Sequence, residues 1–153
     1  MCDLGAARWP FDDSTVDEAV ASHVLEHLPG ESFFHFIREL YRVLKPGGKA
    51  AVVVPHPRHD IFLNDPTHYR PVTTQTLLLF SGAHVRDNAE NGRILTPFYK
   101  LHGVDFNVLR AWYMVDASLE PELLKKVEAN LRFYERHYNN IVFEIQIEME
   151  AVK

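Results

Sequence analysis

The side chains that could do acid–base or metal chemistry are concentrated in two segments of this sequence. The first is Ser22-His23-Val24-Leu25-Glu26-His27, and the second runs from His56 to Arg70. An imidazole is half-charged near pH 6.5, so histidine can accept or release a proton at neutral pH. Three histidines, two aspartates and two arginines between residues 56 and 70 are more than a surface loop requires.

The second segment is interpreted as part of a lid, residues 55–104, over a reacting group. We predict that His56 or His59 is the general base. The remaining polar side chains of the segment are predicted to bind substrate: Asp60, Asp65, His68 and Arg70. The structural alternative is that Asp65 and Arg70 only pin the loop to itself.

The first segment places His23, Glu26 and His27 on one face if it begins a helical turn. Imidazole and carboxylate groups are suitable ligands for zinc and other divalent metals. The alternative is that His27 hydrogen-bonds a loop carbonyl. We assign no metal ligands from the sequence and place His27 among the substrate contacts. A metal-dependent hydrolase that uses the lid histidines is a third, weaker possibility.

Two short apolar runs must position these segments. Val16 to Ala21 is typical of a parallel strand, and Ala50 to Val54 is apolar on both faces. Between them, apolar residues from Phe33 to Leu44 recur at helical spacing; Ser32 is a plausible cap, and Pro46-Gly47-Gly48 is expected to stop the helix. The carboxyl ends of both strands, followed by His23 and His56, should therefore meet at one edge of the sheet.

The rest of the chain is predicted to complete one α/β domain over residues 1–153. The fold class is a doubly wound sheet with two parallel central strands, two margin strands of which at least one is antiparallel, and helices on the faces. The further elements are a short helix capped by Thr73 or Thr74 and ended by Gly82, an irregular stretch over 83–103, a strand Phe106–Val115, a helix Pro121–Tyr138 and an alternating strand Ile141–Met149.

The order of motifs from Trp9 to Pro55 resembles the second half of the class I S-adenosylmethionine (SAM)-dependent methyltransferases of the methyltransferase type 11 kind. Trp9-Pro10-Phe11-Asp12-Asp13 precedes the first strand, and Leu44-Lys45-Pro46-Gly47-Gly48 precedes the second. No Gly-rich strand-to-helix turn comes before them. The resemblance implies a partial Rossmann-like sheet, the carboxy-terminal portion of a truncated or divided methyltransferase.

The resemblance also implies roles for individual residues. Asp3 and Leu4 match the loop that contacts the adenine of SAM, and Ser22 and His23 match the segment beside its methionine part. The loop after the second strand would face the methyl acceptor, which we expect to be a small molecule or a saccharide. With the Gly-rich turn missing, SAM binding by this chain alone is expected to be weak or absent.

Two expectations about partners follow. If the chain is a carboxy-terminal portion, the outer edge of the first strand has no neighbouring strand. An unpaired edge favours a homo-oligomer or pairing with an amino-terminal partner chain. The alternative function is a catalytically inactive methyltransferase-like scaffold that binds another chain.

The composition also bears on where the protein is located and which partners it binds. A net charge of -5 gives no general attraction to nucleic acid, one cysteine excludes an intrachain disulfide, and no run is long enough to span a membrane. We therefore expect a cytoplasmic protein without membrane or nucleic-acid partners.

Overall fold

The computed structural model describes Leu4 and residues 8–153. Asp3, one of the residues predicted to contact a cofactor, lies outside this part of the chain. The strands are β1 (Val16–Ser22), β2 (Leu44–Pro55), β3 (Phe106–Val115) and β4 (Val142–Ala151). The helices are α1 (Gly30–Val43), α2 (Asp60–Leu63), α3 (Thr74–Leu78), α4 (Gly82–Glu90), α5 (Phe98–His102), α6 (Pro121–Ala129) and α7 (Leu131–His137), and Leu25–His27 form a 3₁₀ turn.

The strands form one mixed sheet in the order β1-β2-β4-β3. β1 pairs with β2 in parallel, and β4 is antiparallel to both β2 and β3. The predicted α/β class, with a parallel pair and antiparallel strands, is confirmed. β4 lies between β2 and β3 rather than at the margin, which explains why its inward side chains Ile145, Ile147 and Met149 are almost fully buried.

The main core lies between α1 and one face of the sheet. Phe33, Phe36, Ile37 and Leu40 recur at helical spacing and are at most 4% exposed. They belong to the same cluster as the inward residues of β2 and β4. This packing holds α1 as the crossover that makes β1 and β2 parallel, because such a connection needs a covering helix.

The predicted stop at Pro46-Gly47-Gly48 is displaced. Helix α1 ends at Val43, and these three residues already belong to β2, where the pairing with β1 shifts register between Val16 and Glu18. Gly47 has a φ of +75°, which glycine adopts without a steric cost. Ser32 is not the cap either: α1 begins after Pro29, and the Ser32 N–H donates to the Pro29 carbonyl at 2.9 Å.

Two further helix predictions need correction. Thr73 caps α3 as expected, through a reciprocal pair of bonds with Thr76, but Gly82 begins α4 instead of ending a helix. The stretch 83–103, predicted to be irregular, contains most of α4 and all of α5. The single helix expected over 121–138 is divided at Asn130, whose side chain accepts a hydrogen bond from the Phe133 N–H and starts α7.

Strand β1 has a partner on one side only within the described sheet. Its other edge is open, and Val20 on this strand is 76% exposed. The apolar composition of β1 predicts a buried strand. In the part of the chain that the structure describes, however, Val20 is left exposed. Among residues 8–153, no helix is both long and apolar enough to cross a membrane.

Candidate functional site

The carboxyl ends of β1 and β2 lie side by side, as predicted. Ser22 is in register with Val53, and the His23 N–H donates to the Val53 carbonyl at 2.9 Å. Beyond the end of β2, the His56 N–H donates to the Phe143 carbonyl at 2.8 Å, which holds the second segment against β4. Both histidine-bearing segments are thus anchored by backbone hydrogen bonds at one end of the sheet.

His23 makes the turn out of β1 and contacts two carboxylates. Its φ is +52°, a left-handed conformation that few non-glycine residues adopt. Nε2 lies 2.9 Å from Glu144 Oε1 on β4, and Nδ1 lies 3.3 Å from Glu26 Oε1. The side chain predicted to contact a cofactor therefore ties the end of β1 to the sheet, while Ser22 before it is exposed.

The loop after α2 folds back onto the 3₁₀ turn. His27 Nδ1 lies 2.9 Å from the Thr67 hydroxyl, so its partner is a loop hydroxyl and not the carbonyl considered in the alternative. The rings of His27 and His68 have centroids 4.6 Å apart. The Tyr69 N–H donates to the Glu26 carbonyl at 2.8 Å and fixes the loop beside the turn. Sequence-predicted residues from both segments therefore meet here.

Asp65 organises this loop without Arg70. It accepts hydrogen bonds from the Thr67 hydroxyl at 2.6 Å and the Thr67 amide at 2.8 Å. These two bonds lower the pKa of Asp65 below its ordinary value. The Arg70 guanidinium lies instead 4.8 Å from the centre of the Phe33 ring, a cation–π contact with α1. Asp65 therefore ties the loop to itself, as in the structural alternative, whereas Arg70 contacts α1.

His56 belongs to a separate cluster on the other side of β2. It is 5% exposed, its Nδ1 accepts from the Arg58 N–H at 3.3 Å, and its Nε2 lies 3.4 Å from Glu135 Oε1 on α7. Burial disfavours the charged imidazole and lowers the pKa of His56, although the Glu135 carboxylate acts in the opposite direction. His56 is accordingly neutral at pH 7.

His59 is held more tightly than His56. Its Nδ1 accepts from the Ile61 N–H at 3.1 Å and so caps α2, and its Nε2 lies 3.0 Å from Asp116 Oδ2. Hydrogen bonds from Ser118 and from His59 lower the pKa of Asp116. Asp60 is exposed, and its N–H donates to the Asn140 side chain at 2.8 Å. These contacts fasten the start of the lid segment to the chain that leads into β4.

A cavity opens beside His56. It has a volume of about 430 Å³ and is lined by Tyr113, Leu131, Arg132, Glu135 and Arg136. The Tyr113 ring also packs at 6.3 Å from the His56 ring. The cavity thus combines an aromatic wall, two guanidinium-bearing residues and the carboxylate that contacts His56.

Sequence reasoning missed the carboxylates that partner the predicted histidines. Glu135, Asp116 and Glu144 pair with His56, His59 and His23 respectively. Glu144 alternates with the inward residues of β4, and this alternation carries no signal of its contact with His23. Glu135 lies on the polar side of a helix, where a charged residue carries no signal of its partner.

A second, apolar cavity lies along β1. Its volume is about 170 Å³, and its lining includes Leu4, Trp9, Phe11, Val20 and Val24. Leu4 is 38% exposed, and its carbonyl accepts from the Trp9 indole N–H at 3.4 Å. Trp9 itself is buried against Phe36 of α1.

Comparison with known proteins supports the resemblance. Residues 2–52 match the family model described as a methyltransferase domain. A curated protein of Mycolicibacterium smegmatis, named as a probable S-adenosylmethionine-dependent methyltransferase, is 33% identical over 136 residues; the match covers 80% of this chain and 51% of that protein. The chain therefore spans about half the length of this curated relative.

Solved structures share the fold at low sequence identity. A SAM-dependent methyltransferase from Archaeoglobus fulgidus aligns with a TM-score of 0.57 and 18% identity, over 97% of this chain and 65% of that one. The [4+2]-cyclase SpnF aligns with a TM-score of 0.55 and 19% identity, over 99% of this chain and 54% of that one. By the family match over residues 2–52, the curated relative and the shared fold, the chain is similar to the class I SAM-dependent methyltransferases.

Proposed function

We propose that the chain forms the acceptor side of a SAM-dependent methyltransferase that methylates a hydroxyl group of a small molecule or a saccharide. The supporting observation is the cavity of about 430 Å³ lined in part by Glu135, whose Oε1 lies 3.4 Å from Nε2 of the buried His56, next to the carboxyl end of β2. Its size is within the range of roughly 300–1,000 Å³ that is usual for small-molecule sites. Of the predicted lid, residues 55–104, His56 and Arg58 approach this cavity through Glu135.

In this proposal the protein aligns the acceptor and removes its proton. SAM, when bound, supplies the electrophilic methyl group, so the chain needs positioning groups and a base. His56 is the better base. Its two contacts, at 3.3 and 3.4 Å, are longer than the contacts of His59 at 3.1 and 3.0 Å, and its lowered pKa keeps it neutral. His59 holds the loop in place.

The residues assigned to SAM fit one wall of a binding site. Leu4 borders the cavity along β1, Ser22 ends that strand, and His23 follows it. The volume of about 170 Å³ is below the usual range for a ligand of this size. We therefore propose that a further polypeptide segment, paired with the open edge of β1, supplies the other wall, and that the chain alone does not bind SAM at micromolar concentration.

An inactive scaffold is the second candidate. It is favoured by the fact that both ring nitrogens of His56 and of His59 already have partners, which leaves neither imidazole free before an acceptor enters. In that case the open edge of β1 would be the functional surface, and the histidines would only stabilise the loop. The two candidates make opposite predictions for SAM binding and turnover once the second wall of the SAM site is supplied.

The test uses calorimetry and a chimera. The isolated chain is first titrated with SAM, where we expect no micromolar binding; binding at that level would refute the two-segment proposal. Residues 8–153 then replace the aligned part of the Mycolicibacterium smegmatis relative. We expect the chimera to bind SAM and to release S-adenosylhomocysteine when it is supplied with small-molecule extracts.

Variants of the chimera test the role of His56, and SAM binding by the chimera separates the two candidates. H56A should abolish release of S-adenosylhomocysteine and leave SAM binding intact. The matched control is H137A, because His137 is exposed and, among the contacts described, its ring meets only Phe133 of its own helix, through the carbonyl and by stacking on the ring. A folded chimera that binds SAM and keeps its turnover with H56A would refute the role of His56. A folded chimera without SAM binding would favour the scaffold.

A further inference from the structure

Glu26 is a buried carboxylate without a hydrogen-bond donor. The residue is 0% exposed, and neither Oε1 nor Oε2 has a hydrogen-bond partner among the described residues. His23 Nδ1 lies 3.3 Å from Oε1 but does not make a hydrogen bond with it. An uncompensated buried charge is strongly destabilising, and buried polar groups are normally satisfied. Either a proton or a cation is therefore needed to neutralise this carboxylate.

The hydrogen bonds of His68 leave one ring nitrogen free to bind a cation. Its Nδ1 lies 2.7 Å from the Phe62 carbonyl oxygen, which can only accept, so the proton is on Nδ1. The lone pair of the neutral ring is consequently on Nε2. Asp65 Oδ2 lies 3.8 Å from this nitrogen. Two acceptors that face each other need a proton or a metal ion between them.

The same argument applies to His27. Thr67 has a single hydroxyl proton, which it donates to Asp65 Oδ1 at 2.6 Å. The Thr67 oxygen must then accept from His27 Nδ1 at 2.9 Å, so the proton of His27 is on Nδ1 and its lone pair is on Nε2. A hydrogen bond at the other ring nitrogen that fixes the tautomer is the usual arrangement for histidines that ligate metals.

These three side chains converge. Glu26, His27 and His68 each offer one ligand atom, and the three atoms lie within 4.8 Å of one another. We propose that Glu26, His27 and His68 form a divalent metal site that joins the end of β1 to the loop of residues 64–70. The site does not depend on the proposed methyl transfer, since it uses none of the groups around His56.

The donor set selects the class of metal. Two imidazoles and one carboxylate match the three protein ligands of zinc sites that keep a position for water or substrate. Imidazole favours zinc and neighbouring transition metals over magnesium and calcium, which prefer oxygen ligands. The metal would neutralise Glu26 and hold His68, whose side chain is 6% exposed, against the 3₁₀ turn.

The experiment is a titration of the metal-free chain with Zn²⁺ against a chromophoric chelator, repeated with Mg²⁺. We expect one equivalent of zinc to bind in the micromolar range or tighter, without comparable binding of magnesium. H27A and H68A should each weaken zinc binding about tenfold or more. H137A is the matched control, because it also removes one histidine, from the exposed surface of α7, and should leave the affinity unchanged.

A measurement on the unaltered chain covers the case in which a variant fails to fold. In histidine side-chain NMR spectra, zinc should shift the ring nitrogens of His27 and His68 and leave those of His137 in place. The proposal is overturned if the folded chain binds no zinc, if H27A and H68A bind it as tightly as the unaltered chain, or if the ring signals of His27 and His68 do not respond. None of these outcomes bears on SAM binding or turnover.

Discussion

His23 Nε2 and Glu144 Oε1 lie 2.9 Å apart although the residues are 121 positions apart in the sequence. The contact reaches from the end of β1 across β2 to β4. It holds His23 in its left-handed conformation directly before the turn that carries Glu26 and His27. The geometry of the first histidine segment thus depends on a carboxylate from the last strand.

Replacing Glu144 tests this link. E144Q removes the charge and weakens the bond to His23, whose side chain is 37% exposed. Because solvent screens a partly exposed pair, we expect a loss of at most about 1 kcal/mol in the free energy of unfolding. Urea denaturation at pH 6 measures it. E128Q on the exposed surface of α6 is the control, and an equal loss in both variants would contradict a specific role for the pair.

Glu39 anchors the segment that leads into β1. It accepts from the Trp9 N–H at 2.7 Å and pairs with Arg42 at 2.7 Å, and the residue is 7% exposed. Removing the charge in E39Q leaves Arg42 with less compensation, so we expect a loss on the order of 2–3 kcal/mol in urea denaturation at pH 7. The exposed Glu31 on the same helix provides the control E31Q, which should have a smaller effect.

The lowered pKa of Glu39 predicts that the protein loses stability at acid pH. The hydrogen bonds from Arg42 and Trp9 lower the pKa of Glu39 from 4.5 to about 2. A depressed carboxyl pKa contributes stability that is complete above the unfolded value and is lost as the pH falls through the folded one. Stability should therefore decrease between pH 4.5 and about 2. In this window the E39Q profile should be flatter, and parallel profiles would contradict the assignment.

His56 predicts a second pH dependence, in the neutral range. Burial lowers its pKa below 6.5, with Arg58 and His59 acting in the same direction and Glu135 in the opposite one. The unfolded chain then binds more protons than the folded chain, so this stability is complete above pH 6.5 and is lost as the pH falls through the folded pKa.

NMR titration of the His56 ring checks this sign. The midpoint should lie below 6.5, and E135Q should lower it further, because the carboxylate favours the charged ring. E122Q, on the exposed surface of α6, should not move it. A midpoint above 6.5, or an upward shift in E135Q, would contradict the proposed environment of His56.

The open edge of β1 predicts self-association or strand pairing. We expect the average mass in sedimentation experiments to rise with concentration, because an unpaired edge is a template for another strand. V20K places a charge on this edge and should keep the chain monomeric. I94K replaces a side chain that is 98% exposed in the segment after α4 and should behave like the unaltered chain. A monomer at all concentrations would count against pairing through β1.

Local sequence signals determined much of the scaffold. The spacing of Phe33, Phe36, Ile37 and Leu40 predicts α1, and the apolar runs around it predict the parallel strands, because each signal arises within a few residues. The same local signals predict the ends of helices less accurately than the helices themselves. Gly82 and Pro46-Gly47-Gly48 have the composition of helix stops, but neighbouring strands and helices decide whether such residues end an element or lie within one.

The sequence by itself determined where the histidines lie relative to the strands. Two of them, His23 and His27, come just after β1, and three lie between β2 and α3: His56, His59 and His68. These placements depend only on the order of residues along the chain. Only the tertiary structure decided their partners. His23 meets Glu144, His56 meets Glu135, and His68 meets Glu26 and His27 through distances that depend on the strand order β1-β2-β4-β3 and on the path of the loop. Hydrophobic periodicity records which face of an element is buried, but not which distant polar side chain will lie opposite it.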